Sequence, residues 1–273
     1  MIHFVIDSYG CDSSRTNNLR DVYEVIAKLV NAFQLKPIMP PQLVPYYYCE
    51  QPEDVGISAF ILLKGGHFTI HTFPEWGCYF ADLLVEEDSF INKKTLEKFL
   101  KNEFPCDTLI VIPVYRDEFD KMDLGEYKSE DFGPHYMLSA TLEKGEPFTV
   151  DSMMRLLDTL PPRVGMHPIN RPVVLYDTVD NPTYLSGIAL IAESHIAIHY
   201  NLAEKKILMD VFSCKRIEPS KYEIVKQEIF KDNKVDEKLV RRGRSNQDRK
   251  DNNVLKYDVH KKWQEVINGK DKH

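Results

Sequence analysis

The sequence predicts an α+β protein built from two tandem, homologous units, each an antiparallel sheet with helices on one face. Three observations carry this. Short β-branched and aromatic runs alternate with amphipathic stretches in the order strand, helix, several strands, helix, and the order occurs twice. Sliding the chain on itself by 128 residues superposes Ser58 on Ser186, Leu62 on Leu190, His67 on His195, Ile70 on Ile198, His71 on His199 and Asp82 on Asp210. Four of those six identities are polar, which apolar patterning alone does not favour, so the halves read as a duplication. Finally, 43% hydrophobic and 28% charged residues in 273 is an ordinary globular composition, with ample apolar surface for a core and a length that allows one large domain or two small ones.

In the first unit, residues 2–7 read as a strand. Leu19, Val22, Val25, Ile26, Leu29 and Val30 recur at helical spacing within 15–33. A buried strand at 57–63 runs into Gly65-Gly66, a turn signal, and strands at 67–72 and 78–85 follow. A helix near 94–102 and a strand at 107–114 end the unit. Residues 115–133, rich in Asp, Glu, Lys and Gly, read as a linker. The second unit repeats the order, with a strand at 135–142 and a helix at 150–160. Strands at 171–176, 186–192, 195–200 and 206–213 follow, and then a helix at 219–230. The expected divisions are 1–118, 134–230 and a basic tail, 231–273.

Charge divides unevenly. The net charge is −7, yet the last 43 residues hold 13 Lys/Arg against 8 Asp/Glu. The acidic body argues against nucleic acid as a partner, because phosphate binding needs a positive field. The tail, with Arg241-Arg242-Gly243-Arg244 and Arg249-Lys250, suits an anionic partner but reads first as a solvated extension, with room for one short amphipathic helix around Val254, Leu255, Trp263, Val266 and Ile267. No apolar run approaches the ~20 residues of a membrane-spanning helix, and no signal-peptide pattern opens the chain. Cys11, Cys49, Cys78, Cys106 and Cys214 form an odd set without Cys-x-x-Cys spacing, which fits a reduced, cytoplasmic protein. His67 and His71, four strand residues apart, stand about 13 Å from each other, too far to share a metal, so no metal site is expected.

One segment concentrates reactive side chains. Glu193-Ser194-His195-Ile196-Ala197-Ile198-His199 places a serine between two strands, and Met209-Asp210-Val211-Phe212-Ser213-Cys214 ends the next strand. Ser186 stands eight residues before Ser194, and Cys214 twenty after it. The chain opens with Asp7-Ser8-Tyr9-Gly10-Cys11-Asp12. Taken singly, a Ser-His pair beside a hairpin is a hydrogen-bonded turn and Cys214 a small buried hydrophobe. Together these motifs resemble the pyruvoyl-dependent S-adenosylmethionine decarboxylases of the small prokaryotic type. Their motifs read Glu-Ser-His-Ile-Ser-Ile-His, Val-Asp-x-Phe-Thr-Cys and Tyr-Gly-Cys-Asp. The likeness covers roughly residues 1–115 and 135–230.

The resemblance implies a self-processing enzyme of polyamine (spermidine) synthesis. The Ser194 hydroxyl attacks its own preceding carbonyl, elimination follows, and cleavage between Glu193 and Ser194 leaves a pyruvoyl group at position 194. That group forms a Schiff base with the substrate amine and serves as electron sink. In this reading His199 removes the Ser194 α-proton, Ser186 stabilises the tetrahedral stage, and Cys214 reprotonates the substrate α-carbon. The first unit has Gly65, Gly66 and Glu86 where the second has Glu193, Ser194 and Cys214, so it is expected to be silent. It alone keeps the family's His-Thr-aromatic-Pro-Glu run, as His71-Thr72-Phe73-Pro74-Glu75, with Ala203 opposite Glu75. Glu75 is therefore the expected substrate-binding carboxylate. The family acts as a dimer of small units, so the chain is expected to be a pseudo-dimer with one site, leaving room for further self-association.

One departure bears on substrate. Where the family has an adenine-stacking aromatic, this chain has Asp180, with Pro52 as the first-unit counterpart. Tyr176, Tyr184 or Tyr46-Tyr47-Tyr48 are the candidate replacements. Asp180 reads as a turn residue in Asp180-Asn181-Pro182, but a carboxylate there also suits a guanidinium or ammonium. A pyruvoyl-dependent arginine or ornithine decarboxylase is thus the alternative enzyme. An unprocessed, non-catalytic binding or regulatory homologue is the alternative from another class.

Overall fold

Strand β1 (Ile2–Tyr9) shows how the sequence builds the molecule: Ile2, Phe4 and Ile6 point to one face, His3, Val5 and Asp7 to the other, and all six are buried. A strand covered on both faces has no solvent side to mark with regular polar residues, hence its near-continuous apolar runs. The computed structural model describes residues 1–46, 54–86, 91–117, 133–192, 194–214 and 217–243.

The first unit continues with α1 (Ser13–Thr16), α2 (Leu19–Ala32), β2 (Gln42–Pro45), β3 (Ile57–Leu63), β4 (Gly66–Phe73), β5 (Cys78–Val85), α3 (Lys93–Glu103) and β6 (Thr108–Tyr115). The second comprises β7 (Gly133–Thr141), α4 (Val150–Arg163), β8 (Val173–Tyr176), β9 (Tyr184–Ile191), β10 (Ser194–Asn201), β11 (Lys206–Ser213), α5 (Pro219–Phe230) and β12 (Asp236–Arg242). The strand orders are β2-β3-β4-β5-β1-β6 and β8-β9-β10-β11-β7-β12, and every pairing is antiparallel. Each strand of one sheet therefore has a counterpart at the same place in the other, as a duplication requires.

Helix starts follow the sequence. Asn18 caps α2 by accepting from the backbone N–H groups of Arg20 and Asp21, while α3 and α4 open with reciprocal capping boxes, Asn92 with Thr95 and Thr149 with Ser152. The apolar stripe of α2 (Val22, Val25, Ile26, Leu29) packs with Phe4, Ile61, Phe68 and Leu83 of the first sheet. That of α4 (Met153, Leu157, Leu160) packs with Ala189, Ile198 and Met209 of the second. The opposite faces of the two sheets meet. Val5 and Val114 cluster with Met137 and Val240, Phe60 and Leu62 with Ile188 and Leu190, and Phe80 with Phe212. The layers run helices, sheet, sheet, helices. No described helix is long and apolar enough to cross a membrane.

Two sequence expectations shift. The basic tail does not start at residue 231: Asp236–Arg242 is strand β12, paired with β7 from Asp236↔Ser139 to Arg242↔Gly133. It closes the second sheet as β6 closes the first, and charge obscured it because Arg242 is a buried ion-pair partner rather than a solvated group. The single helix expected over 15–33 is two, broken at Asn17-Asn18. The expected amphipathic helix around Trp263, most of the linker, Tyr47, Tyr48 and Glu193 lie outside the described residues.

Candidate functional site

The reactive segment lies where the β9–β10 hairpin turns. Ile191 pairs with Ser194 across it, and Ser194 pairs with Ser213 on β11, which puts Cys214 one residue beyond that pair. Ser194 has φ 147°, a conformation that costs a non-glycine residue ~1–3 kcal/mol. Its Oγ is buried and, among the described residues, has no hydrogen-bond partner. Native structures rarely leave a buried hydroxyl unsatisfied without a chemical reason. Cys214 is buried in a cluster with Phe73, Cys78, Phe80 and Phe212. The structure thus brings Ser194 and Cys214 together, with Phe73 of the first unit in the cluster around Cys214.

His199 and Ser186 are not at this turn. They pair in register and bond to each other (Nδ1 to Oγ, 2.8 Å), but His199 lies five residues along β10 from Ser194, about 16 Å by strand rise. They are too far to act on Ser194. His199 Nε2 instead bonds to His67 Nδ1 at 2.8 Å, and His67 follows the silent Gly65-Gly66 turn. The Ser194 turn has the mirror arrangement. His195, next to Ser194, bonds through Nδ1 to His71 Nε2 (2.9 Å), and His71 Nδ1 bonds to Ser58 Oγ (2.9 Å). The ring pairs stack alike, with centroids 5.1 Å apart in both. Each turn is completed by a Ser-His pair from the other unit. Ser58 and His71, the counterparts of Ser186 and His199, are the residues that sequence reasoning missed. The offset had already aligned them, and a five-residue separation along a strand already excluded the same-unit pair.

Electrostatics favour neutral imidazoles here. Burial lowers His71 to about 3 and His67 to about 4, and holds His195 and His199 well below their ordinary value. His71 is therefore neutral throughout the physiological range.

Deeper between the sheets lies a charged cluster. Arg116, following β6, bonds Asp210 and the carbonyls of Leu138 and Met209 in the second sheet. Arg242 of β12 reciprocates, bonding Asp82, Asp7 and the carbonyls of Ile6 and Ala81 in the first. His3 lies 3.5 Å from Asp82 and 3.4 Å from Asp210. Burial alone would lower its pKa, but the two carboxylates raise it above the ordinary value. Atoms of His3, His135 and Asp210 lie within 4.8 Å of one another. Guanidinium groups bond to Asp210, His3 and His135, so this cluster is an ion-pair clasp between the sheets rather than a cation site.

Glu75 is exposed in the turn Pro74–Trp76 after β4, and lines an open cavity of about 680 Å³ with Ser13, Ser14, Asn17, Asn18 and Tyr46. Asp180 is exposed in the turn after β8. Of the candidate aromatics, Tyr176 is half-exposed at the end of β8, Tyr184 covers the silent turn, and Tyr46 lines the Glu75 cavity.

The family profile of S-adenosylmethionine decarboxylase matches residues 2–117 and 149–243. The S-adenosylmethionine decarboxylase proenzyme of Aquifex aeolicus (strain VF5) is 30% identical over 82 residues, covering 30% of this chain and 56% of that protein. The proenzyme of Fervidobacterium nodosum is 25% identical over 132 residues, covering 45% of this chain and 85% of its own. That of Thermoplasma volcanium is 32% identical over 82 residues, 30% of this chain and 58% of its own. The chain thus spans little more than half the length of two of these relatives. The crystal structure of the Aquifex aeolicus adenosylmethionine decarboxylase superposes with a TM-score of 0.34 at 19% identity, over 41% of this chain and 87% of that one. With both units matched by one profile over most of the chain, the protein belongs to the S-adenosylmethionine decarboxylase family.

Proposed function

We propose that the protein is a self-processing, pyruvoyl-dependent decarboxylase of S-adenosylmethionine, a carboxy-lyase supplying aminopropyl groups for spermidine synthesis, with one active site per chain shared between its two units. The observation that carries the reading is Ser194: strained, buried, its hydroxyl unpaired, beside Cys214 and beside the His195–His71–Ser58 series. An unpaired hydroxyl in a strained turn suits a group that is consumed by reaction rather than one retained for packing.

In processing, Ser194 Oγ attacks the Glu193 carbonyl carbon, and the peptide bond becomes an ester as the Ser194 nitrogen takes up a proton. His71, neutral and held by Ser58, removes the Ser194 α-proton while the Glu193 carboxylate leaves. Water then replaces the nitrogen as ammonia, and the chain ends as residues 1–193 and 194–273. These are the tasks that the sequence assigned to His199 and Ser186, moved to the copies that face the turn. The resulting carbonyl supplies an electron sink for loss of carbon dioxide from an amino acid substrate. Cys214 delivers the proton to the substrate α-carbon. Glu75 accepts hydrogen bonds from the substrate, and Tyr46 offers an aromatic face in the same cavity in place of the missing stacking residue. The two units act as a dimer written into one polypeptide.

Mass spectrometry of the purified protein tests the reading first, since two fragments divided at Glu193–Ser194 are expected and an intact chain refutes self-processing. Release of labelled carbon dioxide from S-adenosylmethionine, arginine and ornithine in parallel tests the substrate. Release from arginine or ornithine alone would transfer the activity to the basic amino acids.

A further inference from the structure

The two turns differ in more than the serine. At the silent turn Tyr184, the first residue of β9, lies over Gly65: a Cβ added to Gly65 would stand 2.8–3.0 Å from the Tyr184 Cζ, Cε1 and Cε2 atoms. The ring therefore fills the space in which a side chain at position 65 would sit. Tyr184 pairs with Asn201 across β9–β10, its backbone N–H donates to Asp177, and its phenol lies toward Asn201 and the carboxylate of Glu86. Glu86 is the counterpart of Cys214, and its charge, with those of Glu204 and Asp177, acts on the Tyr184 phenol.

The same offset makes Gly56 the counterpart of Tyr184, and the matching pairs Ser58↔His71 and Ser186↔His199 place both two residues before equivalent serines. Gly56 has no side chain to cover anything, while its neighbour Val55 packs with Ala192 of the Ser194 turn. The aromatic is present where the serine is gone and absent where the serine remains. Behind the ring, the silent turn keeps its Ser186–His199–His67 series intact.

Building on the decarboxylase reading, we propose that Tyr184 is a plug that closes a second, degenerate substrate site at the Gly65-Gly66 turn and so limits the chain to one bound substrate. Loss of the serine removes the reaction there, and Tyr184 removes the vacant pocket, which would otherwise hold substrate unproductively.

Two measurements on the full-length chain test this. In the first, Glu86→Cys installs a thiol at the position equivalent to Cys214, and its labelling by N-ethylmaleimide is followed by peptide mass spectrometry. Tyr184→Gly and Tyr184→Ala are each expected to speed labelling at position 86 at least ten-fold, while Tyr184→Phe leaves it slow. An unchanged rate in either small-residue variant overturns the plug. The second is equilibrium binding of S-adenosylmethionine methyl ester, which has no free carboxylate to lose. The unsubstituted chain is expected to bind one equivalent and Tyr184→Gly two, whereas one equivalent in a variant with fast labelling overturns the claim that the opened space accepts substrate. A chain that binds no ester and releases no carbon dioxide from S-adenosylmethionine refutes the decarboxylase reading, yet the labelling rates still decide whether Tyr184 closes the turn.

Discussion

Replacing His71 and His199 one at a time distinguishes a site shared between units from one built within the second unit. The two histidines are close to a matched pair. Each is buried, each bonds through Nδ1 to a serine at 2.8–2.9 Å, and each stacks on a second imidazole with centroids 5.1 Å apart. His→Asn at either position therefore removes similar packing and strands similar polar partners, so the stability costs are expected to match. Their distances from Ser194 do not. His71 touches His195, the residue after Ser194, whereas His199 lies about 16 Å along β10. A general base contributes roughly 10²–10⁴ in rate, or about 3–5 kcal/mol. His71→Asn should slow the appearance of the 194–273 fragment by that factor. His199→Asn should process within a few-fold of the unsubstituted chain once both are compared at equal folded fraction. The assay is a time course on denaturing gels from freshly purified precursor, with thermal unfolding as the control for folding. Equal slowing in both variants, or greater slowing in His199→Asn, would refute the shared site.

Other outcomes follow from the same geometry. Cys214→Ala should still cleave but lose about 10²–10⁴ in carbon dioxide release, a split between processing and turnover that packing loss alone does not produce. Arg242→Met leaves Asp7 and Asp82 buried without their guanidinium and should cost about 3–5 kcal/mol in denaturant unfolding. A loss below 1 kcal/mol would mean that the clasp does not hold the sheets. Ending the chain at Gly243 keeps every described contact, whereas ending it at Phe230 removes β12 and exposes the β7 edge, so cooperative unfolding should survive only the first truncation. Burial lowers His67 to about 4 and His71 and His135 to about 3, against an ordinary 6.5. The unfolded chain therefore binds protons first. Below about pH 6.5 stability should fall by roughly 1.4 kcal/mol per pH unit for each such histidine, down to those lowered values. His3, raised above 6.5, contributes in the opposite sense, its stabilisation complete below 6.5 and lost as pH rises through its folded value. Denaturant titrations from pH 4 to pH 7 that show no slope would refute the neutral buried state of these rings.

Most of the fold was legible because strands buried on both faces announce themselves as apolar runs and because a duplication prints each element twice. β12 was not, since its Lys238, Arg241 and Arg242 read as solvated charge. A buried arginine is indistinguishable from an exposed one until Asp7 and Asp82, more than 150 residues away, are placed beside it. The juxtaposition of Ser194 and Cys214 at one hairpin turn was readable from motif spacing. The origin of the histidine was not read, because the offset says which residues are equivalent but not which copy faces which turn. Only the face-to-face meeting of the sheets decides that.

That meeting also explains why the two units have diverged as they have. Each turn draws its chemistry from one unit and its Ser-His support from the other, so losing one site does not free a whole unit to drift. On the proposed mechanism the first unit keeps Ser58 and His71 for the turn at Ser194, and differs from the second at Gly65, Gly66 and Glu86. On the same mechanism the second keeps Ser194 and Cys214, and Tyr184 lies over the Gly65-Gly66 turn. Ser186 and His199 serve that silent turn, yet they persist. Their stack on His67 is fully buried, and removing either partner would leave an unsatisfied imidazole or hydroxyl between the sheets at ~1–3 kcal/mol. On the proposed mechanism packing retains what chemistry no longer needs, with Ser186 and His199 bonded to each other and to His67. Exchanging them together for Ala and Leu, which removes both polar groups at once, should leave processing and turnover at Ser194 within a few-fold. A loss of 10² or more in a folded protein would return them to the mechanism.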